Sequence, residues 1–457
     1  MFRKIEVWIL YLAMLLSIVF AIGFGVLVRQ ELVGNIKAGW LSKTALALAE
    51  IPLKARRILD TDIDLKTEDR FPDLVDFNGT PNTEESYLLL SRYDGDLREG
   101  VIELVNLRSF ETLHTWNPDI DLFNDLVEQV DEFEHLKSNR KNSRQRLVHP
   151  KLTKDGGIIF GQFLPLTKIN SCSDLIFQNT KDKFHHSIET DIDGNIWVPS
   201  QKFPQSLPST KVGRDTGREG GTRNGFNDDA IVKLSPEGEV LYEKSVSQIF
   251  IDNGLEYLLF SVGDKSFNLD PIHLNDIQPV NFDGEFWKKG DVFLSLRNQS
   301  MILLYRPLTN EILWKGVGPF FYQHDVDILD ENRISIFNNN AKNFVDSLTV
   351  DGNNEVVIYD FKTNKYSKYL NKSLIENDVR TKSQGRSEIL PNGDLYIEET
   401  NFGRTLYFNS DGSLRWTHVN RADNENIYSV GWSRILYTEA DVETVHNFLT
   451  NRGTCNE

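Results

Sequence analysis

His186-Ser-Ile-Glu-Thr-Asp-Ile-Asp193-Gly194-Asn195-Ile-Trp-Val-Pro-Ser200 is the stretch on which the reading of the fold turns. Apolar and polar residues alternate on both sides of Asp193-Gly194, a dipeptide suited to a tight hairpin turn. A second hairpin follows: Ala230 to Leu234, the turn Pro236-Glu-Gly238, and Glu239 to Glu243. Together they make four antiparallel strands, A to D.

The same plan recurs along the chain, the signature of a repeat architecture. His324 to Leu329 turns at Asp330-Glu331 into Arg333 to Phe337, and Glu355 to Tyr359 turns at Thr363-Asn364 into Lys365 to Tyr369. Arg386 to Leu390 turns at Asn392-Gly393 into Asp394 to Glu398, then Thr405 to Phe408 turns at Asp411-Gly412 into Ser413 to Trp416. His273 opens a longer unit with Gly290 to Arg297, Met301 to Tyr305 and Glu311 to Trp314, and His149 precedes Asp155-Gly156 and Ile158 to Phe160. The first unit, Tyr87 to Leu90, Val101 to Leu104 and Glu111 to His114, lacks its A strand, while a spare strand, Tyr428 to Leu436, ends the series. A terminal strand that completes the first unit removes the exposed edges of a circular array. The expectation is an all-β, six-bladed β-propeller over residues 85–438, closed by residues 428–436, with a C-terminal helix or tail over 439–457.

The chain has 457 residues, 40% apolar and 11% aromatic, enough for a sizeable core and too apolar for wholesale disorder. Lysine and arginine total 50 against 67 acidic residues, a formal charge of -17 that repels phosphate backbones and argues against a nucleic-acid partner. Two cysteines, Cys172 and Cys455, cannot build a disulfide scaffold or a four-cysteine zinc site. Two unpaired thiols are the expected state, with a single bridge the alternative in an oxidising compartment.

Val7 to Val28 carries no charge over 22 residues, about 33 Å as a helix and enough to span a hydrocarbon core. Arg3 and Lys4 precede it, which favours a cytoplasmic N-terminus. A cleaved signal peptide is the competing reading, since Ala21-Ile22-Gly23 is a passable cleavage site. The expectation is an uncleaved anchor over residues 1–28, single-pass in the inner membrane, with the rest on the periplasmic or extracytoplasmic side. Residues 29–84 follow as a juxtamembrane helix and an acidic connector. Leu32, Ile36, Trp40, Leu41, Ala45 and Leu48 recur at helical spacing, Lys54, Arg56 and Arg57 close the helix, and Asp60 to Asp76 is the connector.

In such a ring the A strands line the axis. His149, His186, His273 and His324 stand at or near the starts of A strands, read here as repeat-equivalent, and Arg386 takes that place in the last blade. The B strands return to the same mouth, bringing Arg297 and Asn338-Asn339-Asn340. A metal site is one alternative. The strand starts offer no obvious carboxylate or cysteine to complete a shell, and two arginines would sit beside the ion. Neutral and cationic donors in one channel suit an anion with several oxygens.

Asp270-Pro-Ile-His273-Leu-Asn275, Gly290 to Arg297, Ile312-Leu-Trp314-Lys-Gly316, Gln323-His324-Asp325 and Ile336-Phe337-Asn338-Asn339 resemble the bacterial arylsulfotransferases, over roughly residues 180 to 420. That family comprises periplasmic six-bladed propellers that move a sulfuryl group from an aryl sulfate to a phenol without a cofactor or metal. The resemblance implies that His324 is the transiently sulfated nucleophile. It also implies that His273, Asn275 and Arg297 hold the sulfate oxygens, and that His185-His186 corresponds to the family's histidine pair. Asn338, Asn339 and Arg386 join as further binding residues. The chain departs from the family where Phe-Asp-Asn is usual and Phe337-Asn338-Asn339 stands.

Sulfuryl transfer, like phosphoryl transfer, asks the protein for positioning and preorganised positive donors. A neutral imidazole can attack, and a second histidine, His273 or else His186, can move the phenolic proton. The implied partners are a small aryl sulfate donor, a phenolic acceptor and the membrane through residues 7–28. A hydrolase using water, or a non-catalytic envelope binding module, are the other readings. The loop Gln201 to Asn227, with Lys211, Arg214, Arg218 and Arg223, is expected either as a mobile lid or as a solvated insertion.

Overall fold

The computed structural model describes residues 6–32, 38–59, 65–133, 135–136, 140–212, 225–261, 267–345, 347–452 and 455. Arg3, Lys4, Ile36, Arg214, Arg218 and Arg223 lie outside them. The chain divides into two compact units, Met1–Ile63 with Asp264–Phe267, and Asp64–Gly263 with Asn268–Glu457.

The first unit holds helix α1, Val7–Leu32, and helix α2, Trp40–Leu59. Within α1, Val7–Gln30 is long and apolar enough to cross a membrane, by length and composition alone, and a signal sequence has the same character. The helix expected from residue 29 starts later. Arg29 to Leu32 continue α1, and α2 begins just after Gly39, whose φ of +55° suits glycine.

The second unit is all-β and propeller-like, its strands paired antiparallel throughout. Tyr87–Asp94, Glu99–Asn106 and Glu111–Trp116 form a sheet with the late strand Arg434–Leu436 at its inner edge. Four-stranded sheets follow at Leu274–Pro279 to Glu311–Val317 and at His324–Ile328 to Lys365–Tyr369. The strands from Val148–Leu152 to Val240–Ser245 make one eight-stranded sheet. They merge because Leu175–Phe184 runs on past its own sheet, and Lys183 and Phe184 pair with Gln201 and Ser200. Arg386–Ile389 to Leu414–Val419 carry an unexpected fifth strand, Asp76–Gly79, from the segment read as a connector. That strand covers an otherwise open edge.

Apolar clusters fill the spaces between neighbouring sheets. One joins Trp197 and Ile231 to Leu294 and Leu303, and another joins Phe293 and Leu304 to Ile336 and Val357. The C-terminal helix, Glu439–Asn451, starts with a capping box between Thr438 and Asp441 and buries Val445 and Phe448. Phe448 stacks on Trp116 with ring centroids 5.2 Å apart. The tail beyond it corrects the expectation of free thiols, because Cys172 and Cys455 are disulfide-bonded, their Cα atoms 5.4 Å apart. Docking of this helix brings together two residues 283 positions apart, a proximity that spacing alone does not reveal.

The inner strands are joined side chain to backbone around the axis. His149 Nδ1 accepts the Ile188 N–H at 2.9 Å, and Ser187 Oγ accepts that of Ile277 at 3.1 Å. Asp276 Oδ2 accepts the Val326 N–H at 2.7 Å, and Asp325 Oδ2 accepts that of Ser387 at 2.8 Å. Glu398 then takes the N–H groups of Trp432 and Ser433 at 2.7 and 2.6 Å. The His149 N–H returns to the Gly431 carbonyl at 2.8 Å, which closes the circuit.

Two outcomes follow from this architecture. Glu398→Ala strips two buried N–H donors of their acceptor, so urea unfolding should show a loss of about 2–5 kcal/mol, and an unchanged midpoint would refute the role. Alkylation of the unfolded, unreduced chain should leave both cysteines unmodified in the intact mass.

Candidate active site

Register in the circuit sorts the axial residues into levels. Ser187, Asp276, Asp325 and Arg386 occupy one equivalent position, since each precedes an inner-strand N–H held by the strand before, while His149, followed by Pro150, has its own N–H held by Gly431. His186, Asn275 and His324 lie one residue earlier, and His273 three residues before Asp276. The four histidines expected to be equivalent therefore are not. His149 and Arg386 serve the ring, while His186, His273 and His324 gather beyond it. Left-handed backbone recurs at these strand starts: φ is +48° at His149, +59° at His186, +55° at His273, +52° at Asp325 and +58° at Trp432. Such values are uncommon for residues with a Cβ and worth attention at a site.

The rings converge. The centroid of His186 lies 5.3 Å from His273, 6.0 Å from His324 and 5.9 Å from Trp432. His324 and Trp432 are 5.9 Å apart and nearly perpendicular.

His324 and His273 have their tautomers fixed from behind. Asn339 donates its amide to the carbonyls of Gln384 and Thr381 at 2.7 and 3.2 Å, which turns its Oδ1 to His324 Nδ1 at 2.7 Å. The proton of His324 therefore sits on Nδ1, and the Nε2 lone pair faces inward, where it takes the Gln384 N–H at a long 3.2 Å. Asp270 Oδ2 holds His273 Nδ1–H at 2.7 Å, and its Oδ1 accepts from the Asn227 amide at 3.0 Å. His273 Nε2 is buried without a partner. His186 Nδ1 meets His185 Nδ1 at 2.7 Å, so one ring of the pair donates to the other. His324 and His273 thus carry unprotonated Nε2 atoms beside the buried His186 ring.

Burial is the main reason these rings stay neutral. It drives His324 and His186 well below the usual histidine range, with Arg297 contributing to both and the neighbouring histidines adding to His186. Burial lowers His273 to about 4, against the opposing pull of Asp270. Arg297 is the cation felt by all three. Its guanidinium lies 4.1 Å over the Tyr322 ring, and its Nε donates to Asn298 at 3.1 Å.

Other expected residues hold the frame. Asn275 is buried and donates to the Gln323 carbonyl at 2.8 Å, tying its strand to the one that carries His324. Asn338 accepts the N–H groups of Phe321 and Asn340 at 2.8 and 2.9 Å and donates to Glu355 at 3.1 Å, away from the ring cluster. Arg386 lies against His149 at 3.1 Å, Glu388 at 3.0 Å and Asp325 at 3.7 Å, so carboxylates already answer its charge. Lys211 pairs with Glu256 at 3.1 Å. Sequence reasoning missed the orienting roles of Asp270 and Gln384, the latter held by Arg146 at 3.0 Å. Burial lowers Arg146 to about 10. The Asp270 spacing, three residues before His273, was the one available signal.

Residues 149–421 match the sequence model of the family described as Arylsulfotransferase (ASST), well over half of the chain. The chain belongs to the arylsulfotransferase family. No curated protein matches it. Among solved structures, a protein of unknown function from Bacteroides caccae is 13% identical, with TM-score 0.42, over 76% of this chain and 98% of that one. TolB from Acinetobacter baumannii is 10% identical, with TM-score 0.40, over 77% and 66% of the two chains. The WD40 β-propeller domain of Doa1 is 10% identical, with TM-score 0.36, over 82% and 98%. The family match spans His186, His273, Arg297 and His324 and stops short of Trp432.

The histidine cluster should be recognisable by its protonation. In a histidine NMR titration, the His273 ring should stay neutral through pH 6.5 and protonate only near pH 4. A midpoint near 6.5 would show that the ring is not buried as described.

Proposed function

We propose that this arylsulfotransferase-family protein transfers a sulfuryl group from an aryl sulfate to a phenol through a sulfo-histidine at His324. The observation that carries this reading is the Nδ1–H tautomer of His324, fixed by Asn339, with its inward Nε2 lone pair next to the Arg297 charge. In the first half-reaction Nε2 displaces the Gln384 N–H and attacks sulfur. The N–S bond forms as the S–O bond to the aryl group breaks, and the phenolate leaves and takes a proton from water. Arg297 offsets the charge on the equatorial oxygens.

In the second half-reaction His273 Nε2 removes the acceptor's phenolic proton, and the phenolate oxygen attacks the same sulfur. The N–S bond breaks, its electron pair returns to Nε2, and His273 gives its proton to water. Donor and acceptor are thereby exchanged without net change in protons. Asp270 orients His273 and stabilises its transient charge, the arrangement of a general base with its carboxylate.

The eight-stranded sheet is read as two four-stranded blades merged at Lys183 and Phe184, which makes six blades closed by Arg434–Leu436. α1 is read as a single-pass inner-membrane anchor with the N-terminus in the cytoplasm and the propeller outside it. The Cys172–Cys455 bond supports that placement, since disulfides persist in oxidising compartments.

Incubation with 4-nitrophenyl sulfate should release nitrophenolate in quantity only when a phenol is added. Release without phenol would instead indicate a hydrolase, and none at all would reject catalysis on aryl sulfates. With donor alone, one sulfuryl mass should appear on the peptide containing His324. His324→Asn should abolish both signals, and His273→Asn should slow acceptor turnover by about 10²- to 10⁴-fold while sulfo-enzyme still forms.

A further inference from the structure

The segment that closes the ring also reaches the three histidines, beyond the part of the chain that matches the family. Trp432 is fully buried, its ring centroid 5.9 Å from both His186 and His324 and 5.5 Å from His149. Its φ of +58° is a strained value for so bulky a side chain. Glu398 enforces it, taking the Trp432 and Ser433 N–H groups on its two oxygens and the Thr400 hydroxyl at 2.7 Å. Within this cage the indole Nε1–H has no hydrogen-bond partner. A buried donor left unpaired is costly, and strain together with an unmet donor marks a place kept for something other than stability.

We infer that Trp432 Nε1–H is a donor to a sulfuryl oxygen held between His186 and His324, and so a catalytic residue supplied by the ring-closing segment. The inference rests on the sulfuryl-transfer reading for the identity of its ligand. Arg297 supplies charge in that site, and the imidazoles present lone pairs. A sulfuryl group with three oxygens calls for neutral donors as well: the Gln384 N–H released by His324 is one, and the indole is another. A donor aimed at the oxygens as charge develops acts on the chemical step more than on binding.

Trp432→Phe keeps an aromatic ring and removes the N–H. It should lower kcat for aryl sulfate about 10²- to 10³-fold with KM changed less than threefold. A second form, Trp432→(3-benzothienyl)alanine, keeps the bicyclic shape and replaces N–H by sulfur, so it separates the donor from packing if the Phe variant folds poorly. Equal loss in both forms supports the inference, and turnover within threefold of the unchanged protein in the benzothienyl form overturns it. Calorimetric binding of inorganic sulfate is measured alongside, which separates this inference from the reading beneath it. If the unchanged protein binds sulfate without transferring sulfuryl, a fivefold or greater weakening in the benzothienyl form still supports the donor. Equal sulfate affinity in such a protein, or no sulfate binding at all, overturns it.

Discussion

The circumferential hydrogen bonds between inner strands are the constraint on which the rest of the second unit depends. An inner strand has a neighbour in its own sheet on one side only, so its other contacts must come from side chains across the axis. His149, Ser187, Asp276, Asp325 and Glu398 provide them. Three of the five are carboxyl side chains, and a buried N–H left without its acceptor costs about 1–3 kcal/mol. These bonds fix the angle at which each inner strand enters the channel, and hence the inward turn of the residue before it. That is why His186, Asn275 and His324 share one level. The site is a by-product of how the ring is held together, with His273 and Trp432 added from outside the common register.

A second consequence is the vertical separation of charge. At and below the stitching level lie Glu189, Asp276, Asp325, Asp327 and Glu388. Burial comes first in raising Asp276, Asp325, Asp327 and Glu388 above the usual carboxylate range, and mutual proximity adds to it. Arg386 and Arg434 sit among them, Arg386 against Glu388 and Asp325 and Arg434 against Glu189 at 3.2 Å. A buried cation among several acids is held ionised, as the strong rise at Arg386 reflects. Arg297 lies apart from that layer, near Asp270, and its charge is felt by His186, His273 and His324. Arg386 at a strand start and Arg297 after a strand end both looked suited to an anion, but Arg386 is enclosed by several carboxyl groups.

Much of this was legible in the sequence because hairpins announce themselves locally. Asp193-Gly194, Asn392-Gly393 and Asp411-Gly412 all carry glycines at φ between +82° and +87°, the conformation those turns demand. A spare strand balancing a missing one was read over residues 428–436, and the shorter strand Arg434–Leu436 pairs with Tyr87 to Leu89. What stayed hidden depends on distance across the fold. The bridge between Cys172 and Cys455 needs the docking of the last helix, and the pairing of Asp76–Gly79 needs the far edge of a sheet some 340 residues later. The equivalence of the histidines failed for a subtler reason. A one-residue bulge, present between His324 and Val326 and between Leu274 and Asp276, shifts which side chain faces the axis, and no hydrophobic pattern records it. Trp432 escaped notice because its segment read as a mere closure.

The balance of charge around the three histidines bears on which esters the pocket favours under the proposed chemistry. Asp270 and Arg297 approach to 4.0 Å and offset each other, and the imidazoles are neutral at pH 7 because burial opposes their protonation. A sulfate monoester adds one negative charge to that arrangement. A phosphate monoester adds nearly two at neutral pH, and the carboxylate layer beneath raises the penalty for the second in a desolvated space. Extra protons on the histidines would relieve it, but each would have to overcome the burial that holds His273 near 4. Under the proposed chemistry, selectivity for a monoanion would arise less from a shaped oxygen cradle than from withholding positive charge. A single guanidinium with neutral nitrogen lone pairs around it serves an ester whose leaving group departs at the cost of one charge, and serves a dianion poorly.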